Sequence, residues 1–372
     1  VLSGGVGGAR FLQGLLAAKA PDDEVTVIGN TADDIWLFGM RVCPDLDTVM
    51  YTLGNGIDAE RRWGRTDETW HAKEELGAYG EETWFGLGDR DLATHLIRTK
   101  LLHEGVGLAE ITARLCERWQ PGVRLLPMTE HEVETHIGID GSDGIGTIHF
   151  QEYWIRLGAT VPVRKVEMVG AEGATAGPGV VAAIRDADLV ILPPSNPIVS
   201  VGTILSIDEI ADAVRTTAAP VVGVSPIIGG AAVRGMADQL LTGLGIDISA
   251  AGVAAHLGAR TDGGVLDAWL VDTSDAAAVE AIESLGFSLP SGDREFIDGD
   301  APVAAPVARA APRVTHTIVG VFAVSLGVDG RWELRHRFGG LVPDGNDGHA
   351  SVRRFAKREA AVATAEAAML AL

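Results

Sequence analysis

The chain opens on a short apolar stretch, a glycine turn and then an apolar face at helical spacing. Val1-Leu2 reads as the end of a strand, Ser3 to Gly8 as a loop, Arg10 to Ala20 as a helix and Val25 to Ile28 as the next buried strand. A strand, a tight turn and a helix in that order are the signature of a parallel α/β unit. The pattern returns at Ala187 to Leu192 and at Pro220 to Val224, each apolar run followed by a proline-bearing turn. Between them, 58–119 is richer in charge and aromatics and reads as mostly helical. Its clearest helix is Asp91 to Leu102, with Leu92, His95, Leu96 and Thr99 placed on one face. Ile145 to Ile155 alternates and is expected to be a strand.

The character changes after about Gly292. Ala301 to Pro312 is a linker by composition. Beyond it, Thr315 to Ser325 and Trp332 to Phe338 read as strands flanking a turn at 328–330, and 350–372 as a terminal helix. The expected organisation is therefore an α/β domain over 1–290, with a helical insertion at about 58–120, a linker at 291–313 and a β-β-α module at 314–372.

Composition narrows the function classes. The 372 residues carry a formal net charge of -21, which excludes a sequence-blind grip on nucleic acid. An anionic substrate must then be met by local donors or by a metal. Two cysteines make a disulfide framework an unattractive reading and fit a reducing compartment. No secretory leader or apolar run of membrane-spanning length is visible, so a cytoplasmic protein is expected. Val1 falls inside an apparent strand, and the native start is expected to lie upstream.

Five stretches carry candidate chemistry. Gly4, Gly5, Gly7 and Gly8 lie between a strand and a helix, where backbone amides can approach a phosphate, and Arg10 can add charge. Asp33, Asp34, Asp45 and Asp47 crowd into one short span, a set of hard oxygen ligands suited to Mg2+. Asp45 and Asp47 would share a face if their segment were extended; capping and turn roles explain the same residues without a metal. Asp91 at the start of its helix reads as a cap, and Arg90 and Arg98 as partners for acids or phosphate. Ser195, Asn196 and Pro197 follow a strand, and Asn196 has the donor and acceptor needed for a purine edge. His149 to Trp154 mixes aromatic and polar groups in what reads as a strand.

Taken in order, SGGVGGAR, NTADDIW, PDLDTVMY, WGRTDETW, LGDRDLATHLIRT, HFQEYW, PPSNPIVSVG, SPIIGG and RGMAD resemble the CofD/FbiA family of 2-phospho-L-lactate (or phosphoenolpyruvate) transferases. The matching stretches run from Val1 to about Leu289. The resemblance implies a Rossmann-like fold, mostly a parallel sheet, Mg2+ and a homodimer. It implies an acceptor, 7,8-didemethyl-8-hydroxy-5-deazariboflavin (Fo), and a donor, lactyl- or enolpyruvyl-2-diphospho-5'-guanosine. The Fo ribityl hydroxyl would attack phosphorus and GMP would leave. On that reading Asp33 and Asp45 hold the metal, and Asp47 orients or deprotonates the hydroxyl. Gly4, Gly5, Gly7 and Gly8 hold the diphosphate, and Ser195, Asn196 and Pro197 the guanosine. Thr94, His95, His149 and Gln151 line the Fo pocket, and Arg90 meets transition-state charge. Two departures stand out: a family Leu-Met-Thr stretch near the C-terminus is missing, and the tail after Gly292 has no familiar counterpart. Rival readings are a nucleotide-sugar-binding regulatory protein and a nicotinamide dehydrogenase. The first is disfavoured because Ile35 to Gly39 replaces a Gly-Gly-Ser-Ser run, the second because it leaves the carboxylates unexplained.

Overall fold

The computed structural model describes residues 1–287 except 143, 234 and 236, together with strand residues 317–319, 322–326, 332–336 and 353–355. The chain begins with β1 (Leu2–Ser3), α1 (Gly5–Ala18) and β2 (Thr26–Gly29). A hairpin follows, β3 (Ile35–Leu37) and β4 (Met40–Val42), turned by Phe38 at φ 51 and Gly39 at φ 75. Two positive φ values in a two-residue connection match the right-handed twist of the flanking strands. Then come α2 (Pro44–Leu53), α3 (His71–Ala78), α4 (Asp91–His103), α5 (Leu108–Trp119) and β5 (Arg124–Pro127). An antiparallel sheet follows, with β6 (Glu134–Gly141) between β7 (Gly144–His149) and β8 (Lys165–Val169). After α6 (Val180–Arg185), β9 (Val190–Leu192), α7 (Thr203–Leu205) and α8 (Asp208–Thr216) lead to β10 (Val221–Val224). The small pair β11 (Ile227–Ile228) and β12 (Ala231–Ala232), then α9 (Ala237–Gly243), α10 (Ala250–Leu257), β13 (Ala268–Leu270) and α11 (Val279–Glu283) complete the main body.

Two parallel sheets, β5-β2-β1 and β9-β10-β13, meet where β1 lies beside β9. Numbered by occurrence, the parallel strands run 3-2-1-4-5-6, the doubly wound order, with the reversal between β1 and β9. The period-two alternation of strand side chains divides the core. Val27, Leu125 and Ile191 pack with Phe11, Leu12, Leu46, Val49 and Tyr51 on one face. Leu2, Ile28, Leu126 and Leu192 join Ile184, Ile210, Val214 and Val253 on the other. Both faces are covered, as a parallel sheet requires. No described helix is long and apolar enough to cross a membrane.

Several expected elements are redrawn. The first helix starts at Gly5, not Arg10, so most of the glycine loop is helix. The Pro44 segment is α2, not extended chain. Proline at its first position has no hydrogen to waste, and Asp45 and Asp47 suit a helix start. The strand at 145–155 stops at His149, and Glu152–Arg156 is π-helical. In the C-terminal region β14 (Thr317–Val319), β15 (Phe322–Leu326), β16 (Trp332–His336) and β17 (Arg353–Phe355) form one antiparallel sheet. Arg353–Phe355 is thus strand where a helix was expected. The rest of 350–372, the 291–313 linker, and Arg234 and Met236 of RGMAD lie outside the described residues.

Candidate functional site at the β1–β9 crevice

The strand order reverses between β1 and β9, and the loops leaving both strands open on the same crevice. Gly4 is the N-cap of α1, and the Ser195 hydroxyl donates to its carbonyl at 3.1 Å. Gly5 has φ 59, a conformation that disfavours any side chain. A Cβ at Gly8 would stand 2.1 Å from Ser3 Oγ, and one at Gly7 3.1 Å from the Pro194 carbonyl. The glycines therefore let α1 lie against the β9 loop. Asn196 caps its own turn, its Oδ1 accepting from the amides of Ile198 at 2.9 Å and Val199 at 3.2 Å. A purine edge would meet only its amide nitrogen. Pro197 follows as the first residue of that turn and is buried.

Asp45 faces the start of α1. Its Oδ2 accepts from Asn30 Nδ2 at 2.9 Å, and a Cβ at Gly4 would stand 2.8 Å from the same oxygen. Asp33 is buried beside it, and its Oδ1 has no hydrogen-bond partner; neither has Ser3 Oγ nor Thr31 Oγ1. Burial, then the Asp45 charge, pushes the Asp33 carboxyl well above the usual range, and burial raises Asp45 to about 7. Two crowded, desolvated carboxylates with a free oxygen are held at a cost unless a cation joins them. Asp33 and Asp45 therefore fit a divalent ion. Among the described residues no three His, Cys, Asp or Glu groups form a complete cage. Two protein carboxylates, with water and substrate oxygens, are what Mg2+ commonly takes.

The acidic turn is braced from the end of β7. His149 Nε2 lies 3.1 Å from the Asp34 carbonyl, and Gln151 Nε2 donates to the Asp33 carbonyl at 3.2 Å. The Gln151 amide donates to His149 Nδ1 at 3.1 Å, which leaves the ring hydrogen on Nε2. Burial lowers the His149 pKa. His149 and Gln151, expected to line a pocket, hold backbone here. Asp34 itself pairs with Arg41 Nη2 at 3.3 Å, and burial still raises it to about 6.

Asp47 points elsewhere. As α2 is helical, Asp45 and Asp47 do not share a direction. Asp47 Oδ1 is bound by Arg98, and its Oδ2 lies 3.7 Å from His95 Nδ1. His95 Nε2 lies 3.5 Å from Asp91 Oδ2. Tyr51 donates to Asp91 Oδ1 at 2.6 Å, so Asp91 serves this network rather than capping α4. Burial would raise Asp91, but His95 and Tyr51 outweigh it and hold it below the usual range. Thr94 and His95 are buried in this network, at 4% and 1% exposure, rather than open to a pocket. Arg90 is 55% exposed at the start of α4, 4.0 Å from Asp67, and its amide is capped by Glu68. The cation at Asp47 is the wholly buried Arg98. Sequence reading missed Asn30, Tyr51 and Glu68. A signal existed for the network: Asp91, Thr94, His95, Arg98 and Thr99 repeat at helical spacing on one face of α4.

The pattern of the family described as 2-phospho-L-lactate transferase CofD matches residues 1–288. The chain belongs to the CofD family. Membership makes it a transferase. Among this CofD chain's curated relatives, a phosphoenolpyruvate transferase of Streptomyces griseus is 55% identical over 305 residues, covering 82% of this chain and 94% of its own. One from Streptomyces coelicolor is 57% identical over 287 residues, covering 77% and 88%. One from Mycobacterium sp. (strain JLS) is 52% identical over 298 residues, covering 76% and 90%. A crystallised protein of Bacillus halodurans shares the fold of this CofD chain, with a TM-score of 0.51 at 17% identity over 77% of this chain and 89% of that one.

Proposed function

We propose that the protein moves a phosphoenolpyruvyl or 2-phospholactyl group from a guanylylated donor to the ribityl hydroxyl of Fo, releasing GMP. The relatives named phosphoenolpyruvate transferase favour the enolpyruvyl donor. The observation that carries the reading is the pair of crowded carboxylates, Asp33 and Asp45, at the sheet's switch point. Mg2+ held by Asp33 and Asp45 would supply charge neutralisation to the diphosphate.

The chain's own residues supply position. The acceptor oxygen forms a bond to phosphorus, the bond to the GMP oxygen breaks, and the hydroxyl proton leaves with a base. Asp47, with Oδ1 bound by Arg98 and Oδ2 facing His95, acts as a positioning residue within that buried network. His149 and Gln151 keep the acidic turn in place. The 195–197 turn meets the guanosine through Ser195, the Asn196 amide nitrogen and the Pro197 ring. Cytoplasmic residence and assembly as a homodimer belong to the same reading, and light scattering tests the dimer.

The direct test mixes purified protein, Fo and Mg2+ with each synthetic donor and follows products by mass spectrometry. Transfer to Fo with release of GMP is expected, faster with the enolpyruvyl donor. No transfer from either donor would overturn the reading. Asp45→Ala is expected to abolish turnover and Mg2+ dependence together; wild-type rates in that variant would remove Asp45 from the metal site.

A further inference from the structure

Arg10 and Arg62 make no side-chain hydrogen bond or ion pair among the described residues. Both are half-buried. The chain offers 51 acidic residues against 30 Lys and Arg, so unpaired, partly desolvated guanidiniums are not explained by a shortage of carboxylates. Neighbouring Arg61 and Arg65 are used internally. Arg61 pairs with Asp58 at 2.9 Å, and Arg65 donates to the Arg90 carbonyl at 2.7 Å.

The loop after α2 returns far enough toward α1 for the Arg62 charge to act on Arg10. Helices α1 and α2 pack along their lengths and both start at the crevice, with Asp45 against Gly4 and Gly5. Further along, Gln13 donates to the Thr52 carbonyl at 3.3 Å. Arg10 sits one turn before Gln13 on that face. Side chains of a helix lean toward its N-terminus, and the N-terminus of α1 is the end that opens on the crevice. The loop after α2 doubles back, with the Asp58 amide on the Gly64 carbonyl at 3.2 Å and the Thr66 amide on the Gly56 carbonyl at 2.9 Å. Arg62 lies within that loop at φ 65, a conformation unusual for arginine. Strain of this kind persists where surroundings impose it, and it clusters at ligand clamps. Burial, and then the Arg62 charge, lower the pKa of Arg10.

We propose that Arg10 and Arg62 form a two-guanidinium clamp for an anionic group of the donor, a phosphate or a carboxylate, beside the start of α1. The inference deepens the transferase reading and rests on it. Guanidiniums match such oxyanions with paired N–H donors. The clamp also answers the charge conflict: it places two cations where an acidic protein must admit a polyanion.

The test measures equilibrium binding by calorimetry in full-length protein without Fo, so no turnover occurs. The probes are GMP and phosphoenolpyruvate, each at two salt concentrations, with wild type, Arg10→Gln, Arg62→Gln and Arg62→Lys. Each Gln variant is expected to weaken one or both probes at least tenfold and to flatten the salt dependence, with Arg62→Lys in between. Thermal midpoints should hold or rise, because a like-charge contact is relieved. Loss confined to GMP assigns the clamp to the nucleotide phosphate; loss confined to phosphoenolpyruvate assigns it to the transferred group. Unchanged affinities in both Gln variants, or no binding of either probe to wild type, would overturn the clamp. Binding through the clamp without transfer to Fo would sink the reaction assignment alone.

Discussion

Asp33 is where stability and use oppose each other most plainly. Its carboxylate is buried, has an oxygen with no hydrogen bond and feels the Asp45 charge. An amide of the same shape removes the charge and its repulsion. Asp33→Asn should therefore unfold about 0.5–2 kcal/mol later in urea and yet lose transfer activity. A less stable Asn variant would show that the carboxylate has a structural partner. His149 makes a pH prediction. Its folded pKa lies below its unfolded value, so its contribution is complete above the unfolded pKa and is lost as pH falls through the folded one. Asn at this position can still accept from the Gln151 amide and does not titrate. His149→Asn should lose less stability than wild type when thermal unfolding is followed from pH 8 to pH 5; equal slopes would count against the assignment. None of these environments could be read in the sequence, because a carboxylate's neighbours are set by chain segments far apart.

At the scale of the element, α4 inverts the usual pattern. It buries Asp91, Thr94, His95, Arg98 and Thr99 and leaves Leu96 and Ile97 at 56% and 49% exposure. Sequence periodicity found the helix with nearly its observed bounds but placed Leu96 on the inner face. The physical reason lies on α2, whose Asp47 and Tyr51 offer polar partners worth more to Arg98 and Asp91 than an apolar contact. Arg98 also reaches the Arg41 carbonyl at 3.3 Å, so one guanidinium joins α4, α2 and β4. Arg98→Ala should cost about 3–5 kcal/mol, since Asp47 is left buried and unpaired. Replacing both residues by leucine should recover much of that loss in a double-mutant cycle. Additive losses would mean that the pair is not coupled.

At the scale of the molecule, the two large cores and the crevice all fall within residues 1–287, and the family match ends at 288. A chain ending at residue 290 is expected to unfold in one cooperative transition and to keep transfer activity. Loss of the transition, or of activity with folding intact, would give the tail a part in the body or the site.

The sequence by itself determined the parallel α/β class, the buried parallel strands, the glycine-rich junction of β1 and α1 and the crowding of carboxylates between Asp33 and Asp47. These follow from local rules: apolar period, glycine and proline conformation, and spacing along the chain. Only the tertiary structure decided which way each carboxylate points. It made the Pro44 segment a helix, which sent Asp45 to α1 and Asp47 to Arg98. It also turned His149 and Gln151 into braces for the backbone of Asp33 and Asp34. Those outcomes depend on which surfaces meet when the sheet closes, a choice made by burial over the whole chain and not by any one segment.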